Sequence, residues 1–351
     1  MTQLFDNHPP ASVCVVRLSA IGDTCHALAV VRNLMDNWPD VRVTWIIGRT
    51  EAALLGDIAG VEFIIFDKSL GRAACDDVAS QLRGRSFDVA LCMHASMRAN
   101  RLCRRIPTRL RLGFDWKRAR DFQWLFTNRR IPAAPREHAL DAMMGFARAI
   151  GAGPTPVRWD IPLSSADRKF ASRYASYPTL AISPCSSQRS RNYRNWPAER
   201  FAAVARYAQE HHGCRIVVTG GPSALEQEYG AAIAADAGPD LVNLVGQTTL
   251  KQSLAVFAAA DAVICPDSGP AHMATAVGTP VIGLYATSNP GRTGPYVSRQ
   301  LTVNRYPDAV RQFLGKSADT VRWGRRVRHP DAMSLITVDD VTGKIDRLFT
   351  D

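Results

Sequence analysis

The stretch Val263 to Gly291 constrains the fold of this 351-residue chain more than any other. The apolar run Val263 to Cys265 reads as a buried parallel strand. It gives way to Asp267-Ser-Gly-Pro-Ala-His272, where Ser268 or Gly269 caps a helix and Pro270 suits its first turn, because a missing N–H costs nothing there. Gly278-Thr-Pro280 ends that helix early, and Val281 to Tyr285 is a second apolar strand. The result is a βαβ unit. The amides of Gly269, Ala271 and His272 have no partner inside such a helix and face the positive end of its dipole, which makes the turn an anion site. Asp267 and Ser268 stand beside it, within reach of a hydroxyl or an amide.

The same alternation runs through the rest of the chain. Ser12 to Leu18, Val41 to Ile47, Phe63 to Phe66 and Val89 to Met93 read as strands. After the first of them comes a helix with Ala27, Val30, Val31, Leu34 and Met35 on one face. Proline and glycine are densest from Gly151 to Pro162, which reads as a linker. A second series follows: strands at 179–183, 215–219 and 241–245, helices at 198–212 and 251–260, and the unit described above. An amphipathic helix closes the chain from about Ser334 to Phe349. These patterns predict an α/β fold of two doubly wound parallel sheets. The expected domains are 1–160 and 161–330, with a C-terminal segment 331–351.

Four polar turns fall at strand carboxyl ends, where open α/β sheets bind ligands: Ser19 to Asp23, Pro184 to Arg194, Gly220 to Glu226 and Asp267 to His272. Asp23 is the one carboxylate in its turn, where a strand gives way to a helix. It suits an N-cap, a role compatible with that of a base that accepts a proton from a hydroxyl. His26 follows one turn later and reads as a histidine at the edge of the core. Ser186 and Ser187 open a segment with three arginines, Arg189, Arg191 and Arg194, any of which can grip two phosphate oxygens at once. Such an arginine beside a helix terminus supports a leaving diphosphate without a metal, and no Asp-x-Asp pair or ligand-spaced His/Asp cluster is present.

Charge is concentrated. The formal net charge is +11, and the run Arg98 to Arg130 holds eleven basic residues against Asp115 and Asp121, a local excess of nine. With its aromatics, Pro107 and Gly113, this run reads as irregular structure around a groove, and its charge calls for a polyanionic partner. The eight cysteines form no Cys-x-x-Cys pair and several lie in apolar strands, so they read as reduced, in a cytoplasmic protein. The first residues do not resemble a signal peptide, and no apolar run reaches the roughly 20 residues that span a bilayer, so membrane contact is expected to be peripheral.

Taken in order, Arg17-Leu-Ser-Ala-Ile-Gly-Asp23, the Ser-Ser…Arg-Asn-Trp-Pro segment, Asp267-Ser-Gly-Pro-Ala-His272, Gly278-Thr-Pro280 and Asn289-Pro-Gly-Arg-Thr-Gly294 resemble glycosyltransferase family 9, the ADP-heptose:lipopolysaccharide heptosyltransferases. Met93-His-Ala-Ser-Met-Arg98 and Trp124-Leu-Phe-Thr-Asn-Arg-Arg130 are most similar to the heptosyltransferase I branch. The resemblance implies a GT-B fold, two Rossmann-like domains facing across a cleft, with the C-terminal helix crossing back to the first. It implies a cytoplasmic enzyme, peripheral on the inner membrane, that transfers heptose from ADP-heptose to Kdo of a phosphorylated Kdo–lipid A acceptor with inversion and without metal or cofactor.

By motif match, Asp23 is the base. Ser186, Ser187 and Arg194 hold the diphosphate with Asp267, Ser268, Gly269 and His272. Glu226 takes the ribose, Thr248 lies near the adenine, and Arg98, Arg101 and Arg120 meet the acceptor. A longer insert than the family's between Ser187 and Trp196 leaves the choice among the three arginines open. The alternatives are transfer to a later inner-core heptose and, in another class, a basic nucleic-acid-binding protein. The latter accounts for the charge but not for the four turns, and no nucleic acid is expected as a partner. A nucleotide-dependent oxidoreductase is disfavoured by the lone glycine of Ser-Ala-Ile-Gly-Asp-Thr, where Gly-x-Gly-x-x-Gly is wanted after the first strand.

Overall fold

The structure is a computed structural model that describes residues 4–5, 8–175, 178–186, 192–238 and 240–349. It divides into two compact units, 1–162 and 163–351.

In the first unit six parallel strands form one sheet: β1 (Ser12–Val16), β2 (Arg42–Gly48), β3 (Val61–Phe66), β4 (Val89–Leu91), β5 (Arg111–Gly113) and β6 (Arg129–Arg130). Their order is β3-β2-β1-β4-β5-β6. The chain begins in the middle, runs outward to β3, then returns to fill the other half from β4. The strand direction of travel therefore reverses between β1 and β4, where Val13 pairs with both Val43 and Val89. Helices cover the faces, so β1 is buried along its whole length and is apolar without a break from Val13 to Val16 rather than alternating. Cys14, Val16, Leu18, Ile46, Phe66 and Leu102 form part of the core. The helix Ile21–Asn37 buries the expected Ala27, Val30, Val31 and Leu34.

Two sequence expectations change here. The run 98–130 is not irregular: it contains the helix Met97–Cys103 and the short strands β5 and β6. Arg111 lies in β5, and its guanidinium donates to the carbonyls of Cys103 (2.9 Å) and Ile106 (2.7 Å), so a residue of the basic block closes the end of that helix. The proline- and glycine-rich segment after residue 150 is not a free linker either. Trp159 Nε1 donates to the carbonyl of Cys25 (3.0 Å) and Arg32 Nε to that of Trp159 (3.0 Å), which fastens it to the first helix.

The second unit repeats the architecture with β7 (Thr179–Ile182), β8 (Arg215–Val218), β9 (Val242–Asn243), β10 (Ala262–Pro266), β11 (Val281–Tyr285) and β12 (Val303–Asn304). All are parallel, in the order β12-β11-β10-β7-β8-β9, the same pattern as the first sheet, and travel reverses between β7 and β10. Gly278, with φ +82°, ends the helix after β10 as its spacing predicts, because a side chain there would be strained. Leu180, Trp196, Phe201, Ile264 and Leu284 fill the core. The C-terminal helix Val338–Phe349 adds Val341 and Ile345 to that same core, and Asp346 accepts hydrogen bonds from Tyr207 (2.9 Å) and pairs with His212 (2.8 Å). Its apolar face is satisfied within the second unit.

Candidate functional site

In doubly wound sheets the loops on either side of the reversal point splay apart and leave a crevice at the strand carboxyl ends. In the first unit those loops follow β1 and β4. They bring Asp23 together with Arg17 and His94. Asp23 is not the helix cap: the cap position is Ala20, which has no side chain to bond, and Asp23 lies in the first turn. Its carboxylate instead pairs with Arg17, whose other amino group donates to the Met93 carbonyl (2.7 Å). The Arg17 side chain is 10% exposed and that of Asp23 43%. His94 Nδ1 accepts the Leu18 amide (3.2 Å), which places the proton of the neutral ring on Nε2. Burial, then the Arg17 charge, pushes His94 down to about 4. His26 is buried edge-on to His138, with ring centroids 5.5 Å apart, and belongs to the core.

In the second unit the corresponding loops follow β7 and β10. Arg194 Nη1 donates to the Asp267 carbonyl (2.8 Å) and lies 3.5 Å from its carboxylate. Asp267 also accepts from Ser288 Oγ (2.8 Å), and Arg326 Nη2 stands 3.9 Å away. Burial pulls the Arg194 guanidinium below its ordinary value and Asp267 pushes it back. Ser186 is fixed at the end of β7, its amide donating to Asn195 Oδ1 (3.0 Å) and its hydroxyl to Asn192 Oδ1 (2.9 Å). Asn192 Oδ1 also accepts the Arg194 amide (3.2 Å). The structure thus joins Ser186, Arg194, Asp267, Ser268, Gly269 and His272 around the end of one helix, Gly269–Ala276. Ser187, Arg189 and Arg191 lie outside the described residues.

Ser268 holds the cap position but its side chain makes no cap bond. Its buried Oγ has no hydrogen bond of normal geometry among the described residues. The amides of Gly269 and Ala271 are therefore left to an anion. Cys185 and Cys265 adjoin the turns, and burial pushes both thiols up to about 12, so neither serves as a nucleophile at neutral pH.

Two further residues have local duties. Glu226 accepts from the Gly221 amide (2.8 Å) and the Ser223 hydroxyl (2.6 Å) at the end of β8. A carboxylate has about four lone-pair directions, so contact with a ribose hydroxyl remains compatible with these bonds. Thr248 Oγ1 shares a hydrogen bond with Ser253 Oγ (2.7 Å).

The basic block splits in two. Arg111 and Arg118 work inside the unit, Arg118 through Asp115 and Glu137, while Arg105 pairs with Asp76 and Arg130 lies over the Trp116 ring. Arg98, Arg101 and Arg120 are exposed. Arg326, Ser288 and His94 were not singled out by sequence reasoning. The run Arg322-Trp-Gly-Arg-Arg326 carries a signal for the first of these, but nothing local ties it to Asp267.

Known proteins resemble this chain in sequence and share its fold. The chain is 38% identical over 341 residues to the lipopolysaccharide core heptosyltransferase OpsX of Haemophilus influenzae, with 97% of each chain covered. It is 24% identical to lipopolysaccharide heptosyltransferase 1 of Escherichia coli O18:K1:H7, over 88% of this chain and 98% of the relative. Among solved structures, a glycosyl transferase family 9 protein of Veillonella parvula superposes with a TM-score of 0.79 at 20% identity, covering 99% and 98% of the two chains. Escherichia coli heptosyltransferase WaaC with ADP gives 0.72 at 20% identity, covering 96% and 97%. The sequence pattern of glycosyltransferase family 9 (heptosyltransferase) matches residues 76–316, from the helix before β4 to the one after β12. A match of that extent, on two sheets of this order, makes the chain a glycosyltransferase and a member of glycosyltransferase family 9.

Proposed function

We propose that this enzyme transfers heptose from ADP-heptose to a Kdo hydroxyl of the lipopolysaccharide inner core. The observation that carries it is Arg194, held on Asp267 beside the amides of Gly269 and Ala271 at the start of the helix Gly269–Ala276, a site suited to a sugar-linked diphosphate. In this mechanism the Asp23 carboxylate takes the proton of the acceptor hydroxyl as that oxygen bonds to the anomeric carbon from the face opposite the diphosphate. The bond from the anomeric carbon to the diphosphate oxygen breaks, and ADP leaves with the electron pair. Arg194 and the helix amides hold the charge that builds on it, and the configuration inverts. Ser186, Ser268 and His272 complete the diphosphate site, with Glu226 at the ribose and Thr248 near the adenine. Arg98, Arg101 and Arg120 receive the acceptor's phosphates. A lipid-anchored acceptor brings the enzyme to the cytoplasmic face of the inner membrane as a peripheral protein. In keeping with that, no helix among the described residues is long and apolar enough to cross a bilayer.

Purified enzyme with ADP-heptose and Kdo–lipid A is expected to release ADP and add one heptose mass to the acceptor, with EDTA present as without it. Turnover only on an acceptor that already carries heptose reassigns the step to a later inner-core position. No turnover on either acceptor refutes the proposal.

A further inference from the structure

The three most exposed large apolar side chains among the described residues are Leu125 (66%), Trp116 (61%) and Phe122 (55%), all within one ten-residue stretch of the first unit. Trp124 joins them into a patch, its ring centroid 5.6 Å from that of Trp116 and 5.4 Å from that of Phe122. Scattered exposed apolar residues need no explanation, but a cluster of this kind does.

The loop that carries the patch is firmly held. Asn100, fully buried, donates through Nδ2 to the carbonyls of Arg120 (3.2 Å) and Asp121 (2.8 Å), and Asp121 Oδ2 accepts the Met97 amide (2.9 Å). Gln123, also fully buried, donates to the Cys92 carbonyl (2.9 Å) and accepts the Phe114 amide (3.1 Å). Between these two anchors the backbone turns left-handed at Asp121 (φ 49°) and Phe122 (φ 58°), a conformation that a bulky side chain seldom adopts. A loop fixed on both sides, strained at a phenylalanine, and directing that ring into water has a shape set for something outside the molecule.

The surroundings say what that is. Arg98 and Arg101 are exposed on the helix that supplies Asn100, Arg120 adjoins the left-handed turn, and the Arg130 guanidinium lies 3.9 Å from the centroid of the Trp116 ring. Aromatic and leucine side chains among arginines match the boundary of a bilayer, where rings sit at headgroup depth and guanidinium groups stay with the phosphates. Positive charge adds attraction to an anionic leaflet.

We infer that Trp116, Phe122 and Leu125 form a wedge that inserts into the headgroup and acyl boundary of an anionic phospholipid bilayer, independently of acceptor binding. This deepens the membrane-surface reading given above and rests on it for its biological setting, but its test needs no sugar donor.

The full chain is mixed with vesicles of phosphatidylglycerol in a phosphatidylcholine background, free of lipopolysaccharide, and binding is read by sedimentation. Phe122→Asn, which tolerates the left-handed turn, and Leu125→Ser are each expected to weaken partitioning roughly tenfold. Raised salt is expected to weaken native binding and to abolish that of the double variant that carries both changes. Phosphatidylcholine brominated on its acyl chains is expected to quench Trp116 fluorescence, with Trp116→Phe as the control. Transfer to a water-soluble, deacylated acceptor is expected to be unchanged in both variants, which also reports that they fold.

Native-like vesicle binding by the double variant overturns the inference. So does binding without acyl-chain quenching, which marks attraction by arginines alone. So does absent vesicle binding together with a patch-dependent dimer, which gives the surface to a second copy of the chain. Vesicle binding as expected with no heptose transfer to any acceptor refutes the proposed reaction and leaves the wedge standing.

Discussion

The loops at the reversal points of the two sheets pair a carboxylate with arginine in opposite senses. In the first unit the arginine is inside and the carboxylate outside: Arg17 is 10% exposed and Asp23 43%. In the second the carboxylate is inside, Asp267 at 7%, and the arginines are nearer water, Arg194 at 19% and Arg326 at 47%. In each case the buried partner positions the outer one, and the outer one sets the chemistry offered to a ligand. An exposed carboxylate invites a proton. Guanidinium groups nearer water, beside the amides of Gly269 and Ala271, invite an anion. Under the proposed reaction, one strand order repeated twice supplies a base in one unit and a diphosphate site in the other, by exchanging which member of an ion pair faces inward.

The hardest test of that contrast is Asp23→Asn. It keeps the shape and removes the charge, and under the base role kcat is expected to fall roughly 10²–10⁴-fold while ADP affinity measured by calorimetry stays near native. Retention of most of the kcat would break the contrast at its first member.

The matching change in the second unit is Arg194→Ala, expected to raise the Kd for ADP by roughly 10–100-fold, the usual worth of a charge-assisted bond. Arg326→Ala, with its side chain half in water, is expected to do less. Equal losses would show that the buried carboxylate does not rank the two arginines.

His94 sharpens the comparison through pH. Its folded value of about 4 lies below the ordinary 6.5, so as pH falls the unfolded chain takes up the proton first. The stability tied to the neutral ring is therefore present above about 6.5 and lost as pH falls toward 4. With a discount for the part of the ring that water reaches, the loss is on the order of 2 kcal/mol. His94→Asn retains an acceptor for the Leu18 amide and is expected to flatten that slope in urea unfolding at pH 7 and pH 4.5. An unchanged slope would assign the pH dependence elsewhere.

The smallest expected effect is on the acceptor. Arg98→Glu or Arg120→Glu is expected to raise the acceptor KM several-fold with donor binding unaffected, an effect that weakens as salt rises. A parallel loss of donor affinity would undo the division of labour between the units.

Strands buried on both faces announce themselves: β1, β2, β10 and β11 were legible because a central parallel strand has to be apolar throughout. Three of the short outer strands were not. β6 and β12 are two residues each, and β5 is hidden in Arg111-Leu-Gly113, where an arginine looked like surface charge and proved to close a helix. The motif that drew attention to Asp23 gave its place but not its task, because capping is decided by where the backbone turns, and it turns at Ala20. Arg194 was one of three open choices. Its tie to Asp267 spans 73 residues, a contact that no local pattern encodes. Arg326 and Ser288 reach the same carboxylate from the other side in sequence and were missed for the same reason.

The helix Val338–Phe349 gives the two units different schedules during synthesis. The first unit is continuous in sequence, so it closes its sheet and core while the remainder of the chain is still on the ribosome. The second has all six strands in place well before it is complete, because Val341 and Ile345 belong to its core and emerge after every other described element but the end of their own helix. Until then Leu284 and Val303 lack part of their covering. A message truncated just ahead of Val338 would release a chain with a finished first unit and an apolar opening in the second, the kind of surface that chaperones and proteases recognise.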